Sequence, residues 1–550
     1  MEAVGGRRVE STGRAPAPSG RGRAATGHAE PSAARGAALP GAVAIDASTN
    51  PPPTADPRAP AGAEARSVIA PIPPLPDGPV EGWSAVLLAA GRGTRMRSAL
   101  PKVLHPVAGR PMVRLVCETL REAGLQRVVV VASPDTREQI TEVVTGVSAT
   151  NAHPLSETPI VVEQAEQLGT GDAARSGRSA AGEASHILIA YGDLPLLTTR
   201  TLRELMARHI STGATLTFLT ARLNDPTGYG RVIRRNARVQ GIVEESETDA
   251  NTRGEPEVNA GLYAARAEWL WPTLDALEAG PRGEVYLTDL IARAVDAGAP
   301  VQTSQVGEAS EVRQVNTRAE LAEAERTQRD RVRRALMESG VTLMDPASTF
   351  VDVGVEVGAD TTLWPGVHLV GETRVGEGCE IGPHAVLRDM TLGSRCRVEG
   401  STLRSSTLGA DVEVGPYCVL RPGCSLGERV HLGSYAELKN AEIGDDTQIG
   451  HFAYIGDSVI GANVNVGAGT VTANYDGTAK HVTRIGDGAF IGSDTTLVAP
   501  VTVGEGAYTG AGAVVTRDVA PGERVVGVPA RALTGGSGGR QRGAAADEED

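Results

Sequence analysis

Residues 419–456 read VLRPGCSLGERVHLGSYAELKNAEIGDDTQIGHFAYIG, and their spacing decides the fold of the carboxyl-terminal half. An aliphatic residue recurs every six positions at Leu420, Leu426, Leu432 and Leu438, then after one five-residue step at Ile443, Ile449 and Ile455. The same beat starts upstream at Leu408 and Val414. It runs on through Ile460 and Val466, and resumes at Ile485, Ile491, Leu497 and Val503. Neither the 3.6-residue helical period nor the two-residue strand period fits it. Three six-residue steps make a triangular coil of about 18 residues, and such coils stack by parallel hydrogen bonds. One aliphatic side chain per face makes a thin core, each contributing roughly 1.5–3 kcal/mol when buried. Glycine, which often follows the aliphatic, is expected to supply the corner conformation. One break in the beat, GAGTVTANYDGTAKHVTR (467–484), predicts a loop leaving the column. Cys379 and Cys396, each two residues before a beat position, are predicted to stack as free thiols in neighbouring coils.

The rest of the 550-residue chain divides by texture. Residues 1–82 are rich in Ala, Pro, Gly and Arg and lack any period, so they predict a disordered extension. It has no apolar core of a secretory signal. Glu10, Glu30 and Asp46 weaken a transit-peptide reading, and a true start near Val80 stays open because no methionine lies between Met1 and Met96. Over 83–317 short apolar runs alternate with helical stretches, which predicts an α/β domain on a mostly parallel sheet. Residues 318–340 predict a charged, solvated linker helix. The column occupies 341–532, and 533–550 read as a disordered acidic tail.

Composition narrows function. The net charge of −14 argues against a general nucleic-acid binder. Five cysteines without a C-x-x-C pair fit a reduced, cytoplasmic protein rather than a disulfide framework or zinc site. No apolar run of about 18 residues predicts a membrane span. Only three of the 53 basic residues are lysines: Lys102, Lys439 and Lys480. An ammonium is a compact point charge and a guanidinium a planar fork, so these exceptions mark positions where geometry is tight.

The glycine loop in LLAAGRGTRM (87–96) directly follows an apolar strand, where ligands of open α/β sheets bind. It lacks the Gly-Lys-Ser/Thr of a P-loop, and Arg95 stands where a dinucleotide fingerprint needs its third glycine. With Arg95 and Lys102 close behind, the loop suits a polyphosphate. Taken singly, Lys102 could be a surface residue, Arg95 could pair with a surface carboxylate, and Asp193 could be a strand-end turn residue. His451 follows a beat position and so points outward, either as an ordinary surface histidine or as a base near neutral pH.

The motifs LAAGRGTRM and LPKVLH resemble the signature of the sugar-nucleotide pyrophosphorylases. EQAEQLGTGDA, YGDLPL, DPTGYGRV, GIVEE, EVNAGLY and YLTDLI follow in an order similar to the bifunctional N-acetylglucosamine-1-phosphate uridylyltransferase/glucosamine-1-phosphate acetyltransferases. The resemblance spans roughly residues 84–515, and it implies a Rossmann-like nucleotidyltransferase domain, a linker helix and a left-handed parallel β-helix. It implies that Leu88, Ala89, Ala90, Gly91, Gln164, Gly169 and Thr170 hold the uridine nucleotide, with Arg95 and Lys102 at its phosphates. Tyr191, Gly192, Gly230, Glu244 and Asn259 would line the sugar side, and Asp193 and Asn316 would hold Mg2+. In the column it implies His451 as general base, and Arg421, Lys439, Tyr454 and Asn465 around the sugar phosphate. Ala468, Asn474, Tyr475, Lys480, Ser493 and Ala511 would meet acetyl-coenzyme A. Where a further basic contact is expected the chain has Gly527. The implied substrates are UTP, N-acetylglucosamine-1-phosphate, glucosamine-1-phosphate and acetyl-coenzyme A, in a homotrimer supplying cell-envelope precursors. The rival expectations are a monofunctional sugar-1-phosphate nucleotidyltransferase whose column oligomerises or regulates, and a non-enzymatic scaffold or sensor.

Overall fold

The computed structural model describes residues 74–76, 78–146, 158–280 and 283–533. Most of the expected extension and tail therefore lies outside the described residues. Packing begins before residue 83, however. Leu75 and Val80 lie against the core of the sheet lobe, and the Val80 N–H donates to Gly124 O at 2.9 Å.

Seven strands form the main sheet: β1 (Trp83–Leu88), β2 (Arg127–Ala132), β3 (Ile160–Glu163), β4 (His186–Tyr191), β5 (Leu216–Arg222), β6 (Glu257–Arg266) and β7 (Val301–Gln305). Their order is β7-β5-β6-β4-β1-β2-β3, and only β6 runs antiparallel to its neighbours. A hairpin of Arg231–Arg235 and Arg238–Val243 extends from β6. Helices cover both faces and bury two aliphatic layers, as a parallel sheet requires. The carboxyl ends of β1, β3 and β4 open on one edge, which places the glycine loop, Gln164 and Asp193 together.

From Thr342 onward the chain is a parallel β-helix. Every beat position from Leu408 to Val503 is buried, none more than 4% exposed. The beat also continues inside the apparent break. Thr472 pairs in register with Leu497 and is fully buried, its hydroxyl bonded to Gly456 N–H and C=O at 2.8 and 3.1 Å. Only about 474–482 leave the column, closed by a bridge between Tyr475 and Lys480. The stacked thiols are as expected: Cys379 and Cys396 are buried and free, and the Cys396 N–H donates to Cys379 Sγ at 3.3 Å.

The expectation for the column glycines holds at Gly382 (φ 119°) and Gly415 (φ 121°) but fails at most coils. Gly409, Gly444, Gly450 and Gly492 do not adopt positive φ. A Cβ on any of them would lie 2.6 Å from the backbone of the next coil. These glycines are required by close stacking. After these four the left-handed residue falls two positions later, on Asp411 (φ 58°), Asp446 (58°), Phe452 (58°) and Asp494 (59°), and aspartate tolerates that conformation.

The linker expectation is also corrected. The helix Arg318–Glu338 is not simply solvated: Ala324 enters a core with Val107 and Met112, and Leu336 enters the column core. The buried Arg333 donates to Thr349 O at 3.0 Å.

At the opposite end of the sheet from the glycine loop, Trp83 stacks on His186 at 5.0 Å. His186 contacts His209 edge-on at 5.2 Å. His209 Nδ1 lies 3.0 Å from Thr217 Oγ1. Burial first, then the neighbouring His186 and Arg266, push the His209 pKa down to about 4.

Two predictions follow from this packing. Gly409→Ala should destabilise the column by about 2 kcal/mol, because backbone on both sides must move. Asp411→Gly, at the left-handed corner, should cost less than about 1 kcal/mol; paired denaturant melts compare the two. For His209, the unfolded chain takes up its proton near pH 6.5 and the folded chain only near 4. Stability is therefore complete above about pH 6.5 and falls toward pH 4 by up to about 3 kcal/mol. A His209→Gln variant should show a shallower loss in melts across that window.

Candidate active sites

The first site begins at the end of β1. The Ala89 N–H donates to Val131 O at 2.8 Å and the Gly192 N–H to Leu88 O at 2.9 Å, which pins Leu88–Gly91 against the β4 turn. A Cβ on Gly91 would meet nothing within 4 Å, so open space faces the loop there. Gly93 has φ 59° and a Cβ on it would lie 2.5 Å from Lys102 Cβ, which brings Lys102 to the mouth of the loop. Gln167, which sequence reasoning passed over, ties the loop from the other side, donating to Ala90 O at 2.7 Å and accepting from Arg92 at 2.6 Å.

Lys102 Nζ donates to Asp193 Oδ2 at 2.5 Å and to Asn316 Oδ1 at 3.0 Å, and an Arg95 amine donates to the same Asn316 oxygen at 2.9 Å. Four predicted residues, 221 positions apart at the extremes, thus meet at one point. Among the described residues, the second oxygen of Asp193, Oδ1, is buried and has no partner. A buried carboxylate oxygen with no donor is costly unless a cation meets it. Hard oxygen donors from Asp193 and Asn316 fit a divalent ion of the Mg2+ class, which takes few protein ligands and completes its shell from water and substrate phosphates.

Gln164 is buried and donates to Gly169 O at 3.1 Å and Asp172 Oδ2 at 2.8 Å, so it fixes the loop into the helix Thr170–Ser176. Gly169 has φ 112°, and a Cβ there would lie 2.5 Å from Val285 O. Thr170 Oγ1 accepts from the Leu287 N–H at 3.0 Å and shares a hydrogen bond with Tyr191, whose hydroxyl is held well above its ordinary pKa by burial. The sugar-side residues form a connected wall. The Asn259 N–H donates to Gly230 O at 2.9 Å and its side chain to Tyr263 Oη at 2.6 Å. Glu244 accepts from Thr288 Oγ1 at 2.7 Å, and burial raises its carboxyl pKa. Thr288 and Asp172 carried no sequence signal of their own.

Glu320 was also missed, although a signal was present. Thr317-Arg-Ala-Glu320 is a capping box, and the cap forms fully. Glu320 Oε2 accepts from the N–H groups of Asn316 and Thr317, both at 2.7 Å. The amino-terminal turn of the linker helix thereby orients Asn316 toward Asp193. Arg318 reaches His105 Nδ1 at 3.2 Å, bracing the loop that carries Lys102.

The second candidate site lies on the column and occupies two corners. His451 is exposed, and its ring passes directly over Gly433, where a Cβ would lie 2.7 Å from Nδ1. The residues after the stacked glycines Gly450, Gly467, Gly492 and Gly510 are His451, Ala468, Ser493 and Ala511, so these four share one corner row. Beside them runs an exposed ladder of rings. Tyr417 and Tyr435 stack at 5.2 Å, and Tyr435 and Phe452 at 5.2 Å.

The other corner holds cations. Arg421 pairs with Glu437 at 2.5 Å. Lys439 stands beside Lys480, which lowers its pKa through direct contact and like charge. The loop thus brings two of the three lysines together. Asn474, mostly buried, donates to Asp457 Oδ2 at 2.5 Å and steadies the loop base, whereas Tyr475 is exposed. Tyr454 lies on the face between the two corners, and Asn465 on the adjoining face, in register with Gln448 and Phe490. Within one chain, then, His451 and the Arg421–Lys439 group are separated by the face Ala453–Ile455 and are not brought into contact. Gly527 has φ 93° and leaves no cation at its position.

Residues 85–283 match the MobA-like NTP transferase domain family. Segments 354–389, 405–440, 440–474 and 483–517 match the bacterial transferase hexapeptide family. Among curated proteins, the bifunctional protein GlmU of Pelobacter propionicus is 43% identical over 451 residues, covering 81% of this chain and 96% of that protein. The Geobacter metallireducens protein of the same name is 45% identical, covering 80% and 94%. That of Streptomyces avermitilis is 41% identical, covering 80% and 91%.

Removing the cap carboxylate tests the role given to Glu320. Glu320→Ala should weaken divalent-cation binding at Asp193 and Asn316 by about 10- to 100-fold. Glu320→Gln, which retains an acceptor oxygen, should recover much of it. Calorimetric titration with Mg2+ or Mn2+ reads both variants.

Proposed function

The chain belongs to the bifunctional GlmU family, and from that premise we propose which residues carry each of its two transfers. It is an enzyme that makes UDP-N-acetylglucosamine. The column acetylates glucosamine-1-phosphate from acetyl-coenzyme A, and the sheet lobe then transfers UMP from UTP to N-acetylglucosamine-1-phosphate, releasing pyrophosphate. The product is a precursor of peptidoglycan and of the cell wall.

In the sheet lobe a phosphate oxygen of the sugar phosphate attacks the α-phosphorus of UTP as the bond to pyrophosphate breaks. Two anions must approach, so the barrier is largely electrostatic. Arg95 and Lys102 neutralise the triphosphate from the loop side, and Leu88–Gly91 with Gln164, Gly169 and Thr170 hold the nucleotide. Tyr191, Gly192, Gly230, Glu244 and Asn259 orient the sugar. Asp193 and Asn316 would hold a divalent ion, Mg2+ in our reading, which supplies charge neutralisation at the reacting phosphates. The observation that carries this assignment is the unpartnered, buried Asp193 Oδ1.

In the column the sugar amine attacks the thioester carbonyl. A nitrogen–carbon bond forms, His451 takes the amine proton, and coenzyme A leaves as its thiolate. Arg421 and Lys439 hold the 1-phosphate, with Tyr454 and Asn465 along the sugar. Ala468, Ser493 and Ala511 continue the His451 corner as a track for acetyl-coenzyme A, with Asn474, Tyr475 and Lys480 closing over it; the Ala468 N–H is placed as an oxyanion donor. Because His451 and the cation corner are a face apart in one chain, a neighbouring column completes the site. A homotrimer, with the ring ladder Tyr417–Tyr435–Phe452 at the contact, meets that need. We place the enzyme in the cytoplasm, where its substrates and reduced thiols belong. Among the described residues no helix is long and apolar enough to cross a membrane.

A coupled assay with glucosamine-1-phosphate, acetyl-coenzyme A, UTP and Mg2+ separates the two sites. His451→Ala should lower acetyl transfer about 10^2- to 10^4-fold and leave UMP transfer intact. Asp193→Ala should abolish only UMP transfer. Loss of both activities in either variant would refute the two-site assignment.

A further inference from the structure

Four cations stand in a single row of the column. Arg388 pairs in register with Arg404. Leu403 pairs with Leu420 and Leu420 with Leu438, so Arg404, Arg421 and Lys439, each the next residue, stack in turn. Neighbouring rungs of a parallel ladder lie ~4.8 Å apart, so the row gathers its charges within roughly 15 Å. Like charges placed opposite one another are destabilising.

Elsewhere the column neutralises four of its arginines locally, although Arg484 and Arg517 likewise have no ion-pair partner among the described residues. Arg395 meets Asp411 at 2.7 Å, Arg429 meets Asp446 at 2.7 Å, Arg374 meets Glu356 at 3.5 Å and Arg397 meets Glu380 at 3.8 Å. In the row itself Arg421 has Glu437. Arg388 and Arg404 are exposed, and neither side chain has an ion-pair partner among the described residues. Their guanidinium groups therefore remain available to an anion, and they lead directly to the corner where Arg421, Lys439 and Lys480 stand.

We propose that Arg388 and Arg404 form an anion-capture row that draws a phosphomonoester dianion onto the column and passes it to the Arg421–Lys439 pocket. This rests on the reading of that pocket as the sugar-phosphate site. The row takes no part in bond making. It raises the local concentration of the phosphorylated amino sugar, and its field is unscreened only at low salt, since the screening length is about 8 Å at physiological ionic strength.

The test uses the full-length enzyme carrying Arg388→Gln and Arg404→Gln together. Acetyl transfer to glucosamine-1-phosphate is measured at about 0.02 M and about 0.5 M salt. The expected result is a roughly 3- to 10-fold lower kcat/KM at low salt with kcat unchanged, and convergence with the parent enzyme at high salt. Inorganic phosphate should inhibit the variant more weakly at low salt. An unchanged kcat/KM at low salt overturns the proposal, as does a fall in kcat. A changed mass by light scattering also overturns it, because the row would then be an interface between copies. Arg421→Gln run alongside tests the pocket itself: full activity there refutes the pocket assignment, whereas an impaired Arg421 variant beside an unaffected double variant refutes only the capture row. UMP transfer, unchanged throughout, verifies the fold.

Discussion

The column depends on one contact: backbone of one coil lying on backbone of the next, with no side chain between them at its corners. At Gly450 an added Cβ would come within 2.6 Å of Ala468 N, and at Gly467 within 2.4 Å of Ser493 N. Those distances leave glycine as the residue that fits without displacing a coil. The contact also fixes phase. Because each coil must sit squarely on the one below, the residue after each such glycine falls on a common line. His451, Ala468, Ser493 and Ala511 are therefore aligned by the steric needs of their preceding neighbours, before any ligand is considered. The cation row is aligned by the same register on another corner. Site geometry here is a by-product of stacking.

A second constraint joins this column to the sheet lobe. In a short hairpin of Pro106–Val107 against Arg110–Pro111, Ala108 donates its N–H to Glu325 at 2.5 Å and its carbonyl accepts from the Val353 N–H at 2.9 Å. Gly109 beside it has φ 84°, and a Cβ there would lie 2.3 Å from Asp352 Oδ2. Arg329 bridges Glu325 at 2.6 Å and Asp352 at 3.0 Å. The linker helix thus holds the hairpin and the first coil at once, while its cap holds Asn316. Its charge-rich sequence reads as solvated because the groups that anchor it are arginines and glutamates. Their partners outside the helix, Ala108, Asp352 and Thr349, lie 217, 23 and 16 positions away.

Much of the molecule was legible in the sequence for a physical reason. A six-residue aliphatic beat leaves few folds open, and every inward position it marked in the repeat is buried. The strand ends that carry Leu88, Gln164 and Asp193 follow from short apolar runs bounded by small residues. What escaped reading was of three kinds. Thr472 stands in the core with its hydroxyl satisfied by Gly456, so a hydropathy rule passes over it. The corner glycines have two possible uses, and composition does not distinguish conformational freedom from lack of space. Gln167, Thr288 and Glu320 act through hydrogen bonds to partners that the chain brings near only on folding, although the capping box around Glu320 had a readable pattern.

The two sites solve opposite electrostatic problems, which explains their different settings. UMP transfer joins two polyanions, so charge must be concentrated and shielded from water. Lys102 and Asp193 are accordingly 13% and 9% exposed at the end of a covered sheet. Acetyl transfer joins a neutral amine to a neutral thioester, and the one demanding charge is the spectator phosphate. Under the proposed assignment His451 can therefore stand in the open, and the cations proposed to hold the phosphate can lie a face away on the prism. Under that assignment one column would not close its own site. Assembly would meet this, because a second identical column would present its own rows at the same pitch. Position along the row then becomes position in the site, and adding a cation one coil further out extends the field without altering the chemistry. Arg388 and Arg404 occupy those outer coils.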